Sequence, residues 1–76
     1  MSDILTYRII LNKEPEGTYT VVVPALPGCI TYGDSIENAI DMAKEAIELY
    51  LEDVSNRGEK VRDDSSTFEY TLKIPA

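Results

Sequence analysis

The sequence has no histidine and no tryptophan, one cysteine and one phenylalanine. Without histidine, the chain lacks the commonest general base, the commonest transition-metal ligand and the usual near-neutral proton switch. Ser-His-Asp and Cys-His nucleophilic centres are therefore excluded. Cys29 has no second thiol for an internal disulfide, which fits a reducing, cytoplasmic setting. Basic residues are scarce: seven Lys and Arg stand against 14 Asp and Glu, a formal charge of −7. Phosphate backbones are gripped by clustered cations, so this balance argues against docking on nucleic acid. It favours a basic partner, or simple solubility. Long apolar runs are missing as well. Val21-Val22-Val23, continued past Pro24 into Ala25-Leu26, falls far short of the roughly 20 residues that cross a bilayer. Met1-Ser2-Asp3-Ile4 puts no basic patch ahead of an apolar stretch, so neither a signal peptide nor a membrane span is expected. The four glycines, Gly17, Gly28, Gly33 and Gly58, are isolated and make no phosphate loop.

What remains is one soluble domain over residues 1–76, with 43% apolar and 28% charged residues. A chain of this size buries only about 60% of its unfolded surface, so its core is thin. Leu5, Tyr7, Ile9 and Leu11 alternate with Thr6, Arg8 and Ile10, the period of a strand. Asn12 to Gly17 is a turn cluster, and Thr18 to Val23 reads as a second strand pairing back as a hairpin. Pro24 stops that strand, and Pro27-Gly28 suits the centre of a type II turn. A third strand, Cys29 to Tyr32, ends at Gly33. A helix follows from Asp34 or Ser35, with Asp34 and Glu37 spaced as a capping box. Ile36, Ala39, Ile40, Ala43, Ile47, Tyr50, Leu51 and Val54 form one apolar stripe, and Gly58 suits the position past the helix end. Glu59 to Ser66 reads as a polar, mobile connection. Thr67 to Ile74 alternates again, with Phe68, Tyr70, Leu72 and Ile74 on one face, as a last strand closed by Pro75.

The expected fold is α+β: two layers in the order β-β-β-α-β, a three-stranded antiparallel meander with one helix on one face. The last strand joins the sheet by a right-handed crossover. The opposite sheet face is left bare, with Ile4, Ile10, Val22, Ile30 and Tyr32 projecting from it. Exposed apolar area of that kind predicts a homo-oligomer or a tight hetero-complex.

Asp63-Asp64 reads as a solvated charged loop and Cys29 as a buried structural thiol. Met42, Tyr32 and Tyr50 read as packing residues, and Pro24, Pro27, Gly28 and Gly33 as turn formers. No metal, cofactor or catalytic site is expected. The outer helix face is more informative. From Asp34 to Val54 there are seven acidic residues and one lysine, a local charge of −6. Asp41 with Glu45, and Glu48 with Glu52, are like-charge pairs four apart, each costing a few tenths of a kcal/mol. Such a face can steer a basic partner into place.

The order of several hallmarks resembles the N-terminal domain of the HicB antitoxins and their stand-alone relatives. They are the aromatic Tyr19, the run Val-Pro-Ala-Leu-Pro-Gly-Cys at 23–29, Gly33-Asp34-Ser35, and Ala-Lys-Glu-Ala-Ile at 43–47. The resemblance is strong over residues 5–53, and Thr67–Ile74 fits the family's last strand. It implies a partial ribonuclease H-like fold. It also implies an antitoxin-like role: binding a small basic HicA-type toxin that cuts mRNA, and masking its active site. Glu37, Asp41, Glu45, Glu48 and Glu52 are the expected partner-binding residues, with Leu26, Pro27 and Gly28 as a second patch. The chain stops at Ala76, where the family's DNA-binding domain would begin, so no direct DNA binding is expected. The first strand carries Thr6, Arg8 and Ile10 where a ribonuclease H-type nuclease needs a carboxylate, so no enzyme activity is expected. The alternatives are a stand-alone oligomeric scaffold or regulatory module without a toxin, and a degenerate RNA-binding ribonuclease H-like domain.

Overall fold

The computed structural model describes residues 4–76; Met1–Asp3, read above for a targeting signal, lie outside the described residues. The element order is β1 (Ile10–Lys13), β2 (Tyr19–Val22), β3 (Ile30–Gly33) and α1 (Ile36–Asn56). The strands form one antiparallel sheet in the order β1-β2-β3. The β1–β2 turn closes where Pro15 and Gly17 direct it. The Gly17 N–H donates to the Glu14 carbonyl at 2.9 Å and the Glu14 N–H to the Thr18 carbonyl at 2.8 Å. At Pro27-Gly28, the Cys29 N–H donates to the Leu26 carbonyl at 2.9 Å and Gly28 takes φ +82°, the type II turn expected there.

β1 starts later than the alternation from Leu5 suggests. In the observed register Ile10 faces Val22, which would set Arg8 against Pro24. Proline has no N–H to give the ladder, so pairing ends at Ile10. Residues 4–9 continue without strand pairing.

Val21 and Val23 turn toward α1 and are fully buried. Val21 packs with Ala39 and Ala43; Val23 packs with Leu26 and Cys29. Tyr7, Ile9, Ile47, Tyr50 and Leu51 add half-buried cover around them. Gly33 lets the helix come this close, because a Cβ there would overlap the backbone of Ala39. On the other face, Ile10, Val22 and Ile30 line up across the three strands, and Ile10, Ile30 and Tyr32 are exposed, as is Ile4. The bare face expected from a single helix is present.

The helix start differs by one residue from the Asp34–Glu37 box. Ser35 is the N-cap: its Oγ accepts the Asn38 N–H at 3.0 Å, and Asn38 Oδ1 accepts the Asp34 N–H at 2.9 Å. The hydroxyl caps the helix and the Asn38 amide reaches back to the residue before the cap, while Glu37 is left in the first turn, where its charge favours the helix dipole. The apolar stripe is only partly covered: Ala39, Ala43 and Val54 are buried, while Ile36 and Ile40 are exposed.

The largest correction concerns the C-terminal segment. Residues 67–76 form no strand, so neither the fourth strand nor the crossover to it is present among the described residues. Period-two alternation marks a chain able to become a strand; the ladder needs a neighbour, and here the segment leaves the body. Phe68, Tyr70, Leu72 and Ile74 are all at least 70% exposed. The observed fold is α+β, three antiparallel strands and one helix.

Candidate functional site: the acidic helix face and its surroundings

At 3.6 residues per turn, Glu37, Asp41, Glu45, Glu48 and Glu52 fall within an arc of roughly 80° on the side of α1 turned away from the sheet. All five are exposed. None has a cation within 4 Å among the described residues; on this helix only Asp53 is paired, to Arg57 at 3.1 Å. The arc is thus a continuous, uncompensated negative surface on a rigid element. The helix can bear its repulsion because its inner face is fixed by Ala39, Ala43 and Val54.

The second patch divides. Pro27 and Gly28 stand exposed at the turn, but Leu26 is 4% exposed and packs with Val23 and Cys29. The Leu26 side chain therefore serves the core and presents little surface to a partner. Cys29 is buried and free, as expected of a structural thiol, and burial pushes its pKa up. A thiol held protonated in this way is a poor nucleophile.

Asp63-Asp64 is not a solvated loop. Asp64 is 6% exposed. Its Oδ2 accepts the Arg8 N–H at 2.9 Å and lies 3.7 Å from Arg8 Nε, while its own N–H donates to the Thr6 carbonyl at 2.7 Å. Asp63 accepts the Thr6 N–H at 3.1 Å and turns its other oxygen to the Ser65 hydroxyl and N–H. Those N–H and hydroxyl donors hold its carboxyl below the usual carboxylate range, Thr6 contributing most. Tyr7 donates its hydroxyl to the Arg62 carbonyl. Burial, with Asp63 and Asp64 nearby, pushes the Tyr7 phenol up. The two aspartates are a clasp that supplies the backbone partners residues 6–8 cannot find opposite Pro24. The run Asp63-Asp64-Ser65-Ser66-Thr67 carried a signal for it, since Asx and Ser residues in series favour local side-chain-to-backbone turns. No group of three or more Cys, Asp or Glu side chains among the described residues is placed to hold a metal ion. No described helix is long and apolar enough to cross a membrane.

Comparison with known proteins places this arrangement. An UPF0150 protein of Thermoplasma acidophilum is 40% identical over 62 residues, covering 82% of this chain and 90% of its own. The antitoxin HicB 1 of Photorhabdus laumondii is 38% identical over 53 residues, covering 64% of this chain and 34% of its own. The crystal structure of the N-terminal domain of Burkholderia pseudomallei antitoxin HicB superposes with a TM-score of 0.67 at 31% identity, over 90% of this chain and 72% of that one. The profile of the HicB_like antitoxin of bacterial toxin-antitoxin systems matches residues 7–76. The chain belongs to the HicB-like antitoxin family.

Proposed function

We propose that this protein is a cytoplasmic, non-catalytic antitoxin that binds a small basic HicA-type ribonuclease and covers its RNA site. Membership of an antitoxin family supports the role, and the unpaired acidic arc on α1 is the observation that carries the mechanism. A toxin that binds mRNA must present cations to phosphate. Glu37, Asp41, Glu45, Glu48 and Glu52 offer those cations a competing set of carboxylates, with Pro27 and Gly28 as an adjoining contact. Charge complementarity speeds the encounter, and the bulk of the sheet then excludes RNA. DNA has no part in this reading, given a net charge of −7.

The test is co-expression with a small basic HicA-type toxin, sought first in the neighbouring reading frames. The chain should restore growth that this toxin arrests. Reversing Glu45 and Glu48 to Lys changes the local charge by +4. It should slow association by at least about tenfold at low salt and flatten its salt dependence. An unchanged on-rate would remove the acidic arc from the interface.

A further inference from the structure

The segment 67–76 and the space beside β1 are complementary in a way the isolated chain does not use. α1 packs mainly over β3 and β2, so the β1 side of the helix is left uncovered. There Leu5, Tyr7 and Ile9 face Ile40, Ala43 and Ile47 across a groove of about 290 Å³ with Lys44 and Glu48 at its rim. β1 is an edge strand, with no neighbour on its outer side among the described residues. The tail carries the matching chemistry: Phe68, Tyr70, Leu72 and Ile74 at every second position, exposed by 91, 83, 70 and 76%. It does not fold back into its own groove. The Thr67 N–H donates to the Asp64 carbonyl at 2.9 Å, and Glu69 meets Arg8 at 2.7 Å; beyond that the tail side chains stand exposed. The radius of gyration is 14.3 Å and the long axis 46 Å, where a compact chain of this length has a radius near 11 Å.

We propose that Thr67–Ile74 of one copy adds as the fourth strand at the β1 edge of a second copy, in a reciprocal exchange. Inward residues of a strand repeat every ~6.6 Å, and Leu5 to Ile9 spans ~13 Å, so the groove takes about three of the four apolar side chains. The exchange covers the β1 edge, which would otherwise template pairing with any chain, and removes the largest exposed apolar side chains from water. A two-fold arrangement closes on itself, since each copy gives one tail and receives one. The remaining bare face, Ile10, Val22 and Ile30, is not used.

The test is light scattering on the full chain together with amide exchange of residues 67–74. Two chains of 8.5 kDa should elute as one species of about 17 kDa, and the tail amides should be protected at high concentration and lose protection on dilution. Tyr70→Asp with Leu72→Asp should give a folded monomer, checked by circular dichroism, because both side chains are solvent-exposed before exchange. A dimer whose tail amides exchange freely would overturn the proposal in favour of the sheet face. So would a monomer with a protected tail, which places the segment in its own groove, and so would a dimer that survives the double substitution.

Discussion

Removing the Asp64 carboxylate tests whether the loop after the helix holds the N-terminal segment in place. In Asp64→Ala the Arg8 N–H loses its 2.9 Å acceptor and Arg8 Nε its nearest carboxylate, in a site where Asp64 is 6% exposed. A hydrogen bond to a charged group contributes roughly 1.5–3 kcal/mol, and a part-buried donor left unpaired adds to the loss. The 3.7 Å separation and the partly exposed Arg8 side chain temper the ion-pair share. The expected destabilisation is about 2–3 kcal/mol, against a total of about 4–11 kcal/mol for a chain of this length. Asp64→Asn keeps an acceptor oxygen for the Arg8 N–H and loses only the charge, so about 1 kcal/mol is expected. The assay is urea unfolding followed by far-ultraviolet circular dichroism at one fixed chain concentration. With a slope near ~1 kcal/mol/M, the midpoint should fall by about 2–3 M in the alanine variant and about 1 M in the asparagine variant, with slopes unchanged. An alanine variant within 0.5 kcal/mol of the parent would show that the clasp adds no stability.

Gly33→Ala should cost at least about 2 kcal/mol, because the new methyl collides with helix backbone that cannot rotate away; a neutral result in the same unfolding assay would mean that β3 and α1 do not need this close approach. Stability should also fall at both ends of the pH scale. Asp63 has a folded pKa below its unfolded value, so its contribution is present above about pH 4 and lost as pH drops through the lower folded value. Tyr7 and Cys29 are shifted upward, so their contributions are present at neutral pH and lost as pH rises through their folded values. Asp63→Asn should therefore flatten the acid limb of the urea midpoint, and an unaltered acid limb would count against the assigned hydrogen bonds.

Much of the framework can be read from local chemistry. Pro15, Gly17, Pro27 and Gly28 determine where the chain turns, and the three- and four-residue spacing from Ala39 to Val54 determines where the helix lies. The misreadings share a cause: each depended on what stands opposite. Leu5–Ile9 has strand periodicity, but continuing the register would set Arg8 against Pro24. Thr67–Ile74 has the same periodicity and no strand paired with it among the described residues. Asp64 has a charge that suggests solvent, and becomes buried because unpaired N–H groups of residues 6–8 need an acceptor. Leu26 sits in a turn of proline and glycine, yet its side chain points into the core while Pro27 and Gly28 face outward. The acidic arc was legible because it depends only on helical period and on charge, and neither requires a partner to be known.

The masking role is tested most directly by RNA cleavage. A purified small basic HicA-type ribonuclease is mixed with RNA and titrated with this chain. Cleavage should fall to background as the chain reaches equimolar amounts, and the Glu45→Lys, Glu48→Lys variant should need a clear excess at low salt. Cleavage that continues undiminished under an excess of the parent chain would contradict the account.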